Sequence, residues 1–233
     1  ITSHDLTPLM AQIGENSLVD FETSTSGADG DPVWYRYQSV VLYDEEGGPV
    51  RHVGRLLDTS EAAMRESQFR RKAERDSLTG LFNRRWLEDL LQREMARCER
   101  SDSRLAFALL DIDHFKSVND RYGHACGDAV LVAFGQTILA KVRATDAVAR
   151  WGGEEFVLVM PDTDLSNAGL VAERLRSAIE QLTVQHDEVS LRITVSIGLT
   201  DFRPGESSAA LAQRADEALY AAKAQGRNRV VTH

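Results

Sequence analysis

Three short clusters hold the residues able to do chemistry. In Trp151-Gly152-Gly153-Glu154-Glu155-Phe156 two adjacent carboxylates follow two residues without side chains. A glycine pair lets a bulky ligand approach the main chain, and Glu154 and Glu155 can hold a hard cation beside it. A surface hairpin with solvated acids is the competing reading. In Asp111-Ile112-Asp113-His114-Phe115-Lys116 an apolar run ends in acids, and strand periodicity puts Asp111 and Asp113 on one face. Carboxylates at the mouth of a sheet can be caps, but they also hold Mg²⁺ for phosphate chemistry. Lys116 and the backbone N–H groups of His114 and Phe115, at the start of a following helix, suit an anion.

The third cluster is Asn119 through Asp128. Asn119 and Asp128 can read a purine edge, the acid accepting from ring and exocyclic N–H groups. Alternatively this is a glycine-punctuated turn in which Asp128 caps the next helix. His124 beside two glycines could suggest a metal ligand, but no partner His or Cys supports that, and it reads as structural.

These clusters need elements to position them. Leu87, Leu90, Leu91 and Met95 recur at helical spacing within 84–100, and Leu105–Ile112 has the continuous apolar character of a buried strand. Helices are expected over 115–122, 128–142, 165–182 and 207–225, and strands over 147–151, 156–160 and 191–199. The pair 147–151 and 156–160 joins at Gly152-Gly153 as a hairpin. A hairpin inside an alternation of helices and strands gives an α+β fold with a mixed sheet flanked by helices, not a doubly wound parallel sheet.

The chain has 233 residues and a net charge of -9, which argues against a nucleic-acid partner. Residues 1–58 carry ten acids against three arginines, whereas the remainder is nearly balanced, so a boundary falls near residue 58. Strand-like runs at 33–43 and 50–57 flank a turn at Asp44-Glu45-Glu46-Gly47-Gly48. Residues 59–76 read as a helix, with Asp58 and Glu61 at capping-box spacing. Its sparse apolar positions fit either a solvated connector or a helix that pairs with its copy. The domains are therefore 1–58, a helical linker 59–76, and 77–233. No apolar run is long enough for a membrane segment, and no secretory signal opens the chain. The two cysteines, Cys98 and Cys126, form no framework, which points to a cytoplasmic protein.

Taken in order, these motifs resemble the GGDEF domain of diguanylate cyclases, here in the GGEEF form at 152–156. The resemblance runs from Asp76-Ser77-Leu78-Thr79-Gly80-Leu81-Phe82-Asn83-Arg84-Arg85 to Lys223-Ala224-Gln225-Gly226-Arg227-Asn228. It implies a palm-like fold with a central antiparallel sheet, and condensation of two GTP to cyclic di-GMP by a homodimer. It implies Mg²⁺ or Mn²⁺ held by Asp111, Glu154, Glu155 and the Ile112 carbonyl, with Glu154 also placed to help deprotonate a 3′-hydroxyl. It assigns Asn119 and Asp128 to guanine, and Lys116, Lys223 and Arg227 to the triphosphate, for which Gly152 and Gly153 leave room.

Arg143-Ala144-Thr145-Asp146 resembles the family's RxxD product-inhibition site, with Arg174 as a further contributor. Residues 1–58 resemble the second half of a PAS sensory domain, through Trp34-Tyr35-Arg36, the 44–47 turn and Val53–Thr59. A catalytically silent GGDEF module that binds GTP or cyclic di-GMP as a receptor is the other reading. The presence of Asp111, Glu154 and Glu155 favours the enzyme.

Overall fold

In the computed structural model, residues 18–26, 32–101 and 103–233 are described. The chain divides between Arg71 and Lys72 into two compact units. The first contains strands β1 (Leu18–Ser26), β2 (Pro32–Tyr43) and β3 (Pro49–Asp58), paired as an antiparallel sheet in that order. The β2–β3 turn is fixed by Asp44, whose side chain accepts from the Glu46 and Gly48 amides at 3.1 and 2.6 Å. Gly47 supplies the positive φ of 81° that the turn requires. Helix α1 (Ser60–Glu74) starts where Asp58 accepts from the Ser60 amide at 2.9 Å. Glu61 does not complete the capping box, because it pairs forward with Arg65 at 3.2 Å.

The second unit begins within α1 and continues through β4 (Phe82–Asn83), α2 (Arg84–Ser101), β5 (Leu105–Ile112), α3 (Phe115–Tyr122) and α4 (His124–Leu139). It then runs through β6 (Ala147–Gly152), β7 (Glu155–Pro161), α5 (Leu165–Glu180), β8 (Thr183–His186) and β9 (Val189–Arg192). It closes with β10 (Val195–Asp201), α6 (Ser208–Ala224) and β11 (Val230–Thr232). Six strands make the main sheet in the order β11-β10-β5-β7-β6-β4. The four inner strands are mutually antiparallel, and the two short edge strands pair parallel to their neighbours.

All eight residues of β5 are buried, as a strand covered on both faces must be. Leu105, Phe107 and Leu109 pack with Leu87, Leu91 and Met95 of α2 and with Leu211, Ala215 and Leu219 of α6. Ala106, Ala108, Leu110 and Ile112 pack instead with Val130, Phe134 and Ile138 of α4 and with Ala172, Leu175 and Ile179 of α5. Each large side chain so covered contributes about 1.5–3 kcal/mol. The architecture is thus α+β, a mixed sheet with helices on both faces.

Gly198 sets how closely α6 lies on the sheet. A Cβ there would overlap the Ala215 carbonyl and the Leu219 amide of α6, so only glycine lets that helix backbone rest on β10. This close seating brings the C-terminal end of α6 to the end of β5.

Two expected boundaries move. The strand expected over 191–199 is broken into β9 and β10, because β9 pairs with β8 in a separate two-stranded sheet. At the break the Thr194 carbonyl accepts from the Asp113 amide at 3.0 Å rather than continuing a ladder. Helix α4 starts at His124, not at Asp128, so Asp128 lies inside the helix and is not its cap.

Candidate active site

The two acidic clusters meet because β5 and β7 are neighbours. Asp111 is the cross-strand partner of Glu155, and the Ile112 amide donates to the Glu154 carbonyl at 3.4 Å. Glu154 sits in the β6–β7 turn, where Gly153 adopts φ 54°. At Gly152 the backbone needs no positive φ, and a Cβ at either glycine would meet no protein atom within 4 Å. Packing within the chain therefore gives no reason for a bare residue at 152, whereas a ligand lying across the turn would. The turn is tied down by Arg150, whose Nε donates to the Gly153 carbonyl at 2.9 Å. The same guanidinium reaches Asp76 at 3.3 Å. Burial raises the Asp76 carboxyl, but its bonds from Thr79 and the Arg150 charge outweigh this and hold it below the usual range.

Lys223, near the end of α6, places Nζ 2.8 Å from Asp111 Oδ2. Burial nevertheless pushes the Asp111 carboxyl up, and neighbouring Asp113 adds to this against the pull of Lys223 and Arg227. Burial likewise raises Glu154 and Glu155, with the Asp111 charge second in each case. Acids raised by burial and by the charges of neighbouring acids form a site short of positive charge. Among the described residues no group of three or more His, Cys, Asp and Glu side chains is placed to hold a metal ion. An all-oxygen set with few protein ligands is what Mg²⁺ requires, since it takes one or two carboxylates and completes its shell with substrate oxygens and water. Asp111 and Glu155, paired across β5 and β7, supply the one or two carboxylates that such an ion takes. Arg84 and Asp216, which carried no expectation, also act on Glu155, with opposite signs.

The anion-binding elements lie next to it. His114 precedes α3 in the left-handed region at φ 58°, with no side-chain cap. No described residue accepts from the amides of His114, Phe115 or Lys116, and the positive end of the helix dipole adds to their pull on an anion. Lys116 is exposed. Arg227 follows α6 in a turn with φ 64°. Asp113 does not share the role expected of Asp111: β5 ends at Ile112, and the Asp113 carboxylate accepts from Ser196 at 2.7 Å, Thr194 at 2.6 Å and the Asn228 amide at 3.0 Å.

Asn119 and Asp128 come from the facing helices α3 and α4. A Cβ at Gly127 would overlap the Asn119 carboxamide and come within 3.3 Å of the Phe115 ring, so Asn119 lies directly against α4 one residue before Asp128. Asp128 is exposed and Asn119 half-buried.

Arg143, Asp146 and Arg174 line one cavity of about 160 Å³ with Met160, Asn167 and Leu170. The Arg143 amide donates to Asp146 Oδ2 at 2.9 Å, and Arg174 Nη2 donates to the Lys141 carbonyl at 2.8 Å. A larger cavity, about 440 Å³, lies along α3 and β9 and includes Asp113 and His114 but none of the metal-ligand or guanine candidates.

Comparison with known proteins shows the family. A family profile described as "Diguanylate cyclase, GGDEF domain" matches residues 73–229. The chain is 45% identical over 161 residues to diguanylate cyclase DgcP of Pseudomonas aeruginosa, covering 69% of this chain and 24% of that protein. It is 44% identical over 159 residues to the response regulator PleD of Caulobacter vibrioides, covering 67% of this chain and 35% of that one. The chain thus spans about a quarter to a third of these curated relatives. Among solved structures, the coiled coil and GGDEF domain of DgcB from Caulobacter crescentus, in complex with c-di-GMP, aligns with a TM-score of 0.71 at 35% identity. That alignment covers 74% of this chain and 92% of that one. With a match over well more than half its length, the chain belongs to the diguanylate cyclase GGDEF-domain family.

Proposed function

We propose that this chain is a diguanylate cyclase that condenses two GTP into cyclic di-GMP and releases two pyrophosphates. The observation that carries the reading is the grouping of Asp111, Glu154, Glu155 and Lys223 beside the bare Gly152-Gly153 turn. Lys223, Arg227, Lys116 and the amides of His114 and Phe115 bind the triphosphate. Asn119 and Asp128 bind the guanine edge, selecting GTP over ATP. Asp111, Glu154, Glu155 and the Ile112 carbonyl hold Mg²⁺ or Mn²⁺. When bound, the ion supplies polarisation of the phosphoryl oxygens and neutralisation of developing charge.

In each bond-forming step a 3′-oxygen attacks the α-phosphorus of the other GTP, the Pα–O bond to the β-phosphate breaks, and pyrophosphate departs. Glu154, whose carboxyl is raised by burial and by the Asp111 charge, takes the hydroxyl proton. Each domain binds one GTP, so the second nucleophile comes from a second copy, and the active form is a homodimer whose α1 sets the geometry. Arg143, Asp146 and Arg174 bind cyclic di-GMP as an inhibitor away from the GTP pocket. Residues 1–58 act as a PAS-like sensory input.

The test is incubation of the purified chain with GTP and Mg²⁺, with nucleotides resolved chromatographically and Glu154→Gln alongside. Cyclic di-GMP from the parent and none from the variant is the expected result. GTP binding without product, even when a fused coiled coil enforces dimerisation, would instead establish a receptor module.

A further inference from the structure

The turn that follows α6 is held in an unfavourable backbone. Arg227 and Asn228 are consecutive non-glycine residues with φ 64° and 47°. Left-handed conformations are unfavourable for residues with a Cβ, and such strain persists only where surrounding contacts over-determine it. Four hydrogen bonds do so here. The Asn228 amide donates to Asp113 Oδ2 at 3.0 Å. The Asn228 side chain accepts from Arg176 at 2.8 Å and donates to Glu180 at 2.8 Å. The Arg227 amide closes back on the Ala222 carbonyl at 3.0 Å.

Of these anchors, only Asp113 ties the turn to the carboxylate end of the sheet. Asp113 is 5% exposed, and its carboxylate takes three donors from two segments: the Thr194 and Ser196 hydroxyls at the start of β10, and the Asn228 amide. Asp113 is two residues from Asp111, while the turn it holds carries Arg227 and follows Lys223.

We propose that Asp113 is a positioning residue that fixes Lys223 and Arg227 on the triphosphate, rather than a metal ligand. This rests on the reading of Lys223 and Arg227 as triphosphate ligands. Guanine recognition is assigned to Asn119 and Asp128, and none of the hydrogen bonds to the Asp113 carboxylate comes from either residue. Loss of the clamp therefore weakens binding of phosphates in proportion to their number and leaves the nucleoside part unchanged.

The experiment compares GTP and GMP affinities of the full chain with Mg²⁺, together with the KM and kcat of cyclisation. Asp113→Ala is expected to weaken GTP about tenfold, the scale of one charge-assisted hydrogen bond, with GMP shifted far less. Lys223→Ala and Arg227→Ala should show the same collapse of the GTP preference. If they do not, the triphosphate assignment itself fails. If they do and Asp113→Ala shifts neither nucleotide, or both equally, the positioning role is overturned. Should Asp113→Ala not fold, Thr194→Val removes one donor to the same carboxylate oxygen. A smaller loss of GTP preference, restored by Thr194→Ser, supports the role, and no loss overturns it.

Discussion

Lys223 Nζ lies 2.8 Å from Asp111 Oδ2, joining the end of α6 to the end of β5 across 112 residues of sequence. The ammonium thus neutralises, in the ligand-free chain, the same carboxylate that the proposed reaction needs for a cation. It has two partners in prospect, Asp111 and a phosphate.

Replacing Lys223 with glutamine should therefore act in opposite directions on two ligands. The ligand-free protein should bind Mn²⁺ roughly threefold more tightly, because a partly exposed ion pair worth up to about 1 kcal/mol no longer competes. The KM for GTP should rise about tenfold or more with the loss of a charge-assisted phosphate contact. Mn²⁺ titration by electron paramagnetic resonance and steady-state kinetics read the two effects separately. A variant weakened toward both ligands would contradict the competition.

The acidic cluster should cost stability in exchange for function. Burial and the Asp111 charge raise the Glu154 and Glu155 carboxyls above the ordinary 4.5. A carboxyl raised in the folded state contributes stability that is full below its unfolded value and is lost as pH rises through its folded value. At neutral pH without divalent cation both are therefore destabilising. Glu154→Gln should raise the melting temperature by about a degree or two at pH 7, a small gain because the group is only part-buried, and by nothing near pH 4. Mg²⁺ should stabilise the parent more than the variant, while cyclisation is abolished. Thermal scans at the two pH values, with and without Mg²⁺, decide it.

How far the sequence discloses this arrangement depends on the range of the interaction. The β5 run, the glycine turn and the α2 stripe are visible because each is a local pattern of burial. The strands β4, β8, β9 and β11 are two to four residues long, and their pairing is decided by distant partners. Asp128 reads as a cap because acids favour that place, yet α4 starts at the uncapped Gly123–His124 step. Asp113 extrapolates to the face of Asp111 only if the strand continues, and it does not. Its partners Thr194, Ser196 and Asn228 lie more than 80 residues away. Local spacing finds the acids; only the fold shows which of them is free for a ligand.

Gly127 offers a test of guanine recognition that leaves the core intact. An alanine Cβ there would overlap the end of the Asn119 side chain, a half-buried group that can swing aside. Relief by rotation of one side chain is cheap, although the Phe115 ring must also give slightly. Gly127→Ala should thus keep its melting temperature within about 3 °C of the parent. It should raise the KM for GTP about tenfold, as a displaced recognition group does, and narrow the preference for GTP over ATP. Competition by ATP against GTP turnover measures the preference. Unchanged selectivity would remove Asn119 from the guanine site.

The proposed product site can be probed without disturbing the loop that carries it. The 143–146 turn is held by the Arg143 backbone, whose amide donates to Asp146 Oδ2 and whose carbonyl accepts from the Asp146 amide at 3.0 Å. Truncating the Arg143 side chain therefore spares both bonds, whereas Asp146→Ala removes one. Arg143→Ala should leave the initial cyclisation rate within about twofold of the parent, as expected for a group that touches no reacting atom. It should weaken cyclic di-GMP binding at least tenfold, the loss expected when a charged hydrogen-bond donor to a phosphate or guanine edge is removed. Progress curves of the parent should flatten as product accumulates, at a level that added GTP does not overcome, while those of the variant run on. Arg174→Ala should weaken the same binding less, because its guanidinium is already committed in part to the Lys141 carbonyl. Inhibition that persists in Arg143→Ala, or that GTP relieves competitively, would place product binding in the substrate pocket instead.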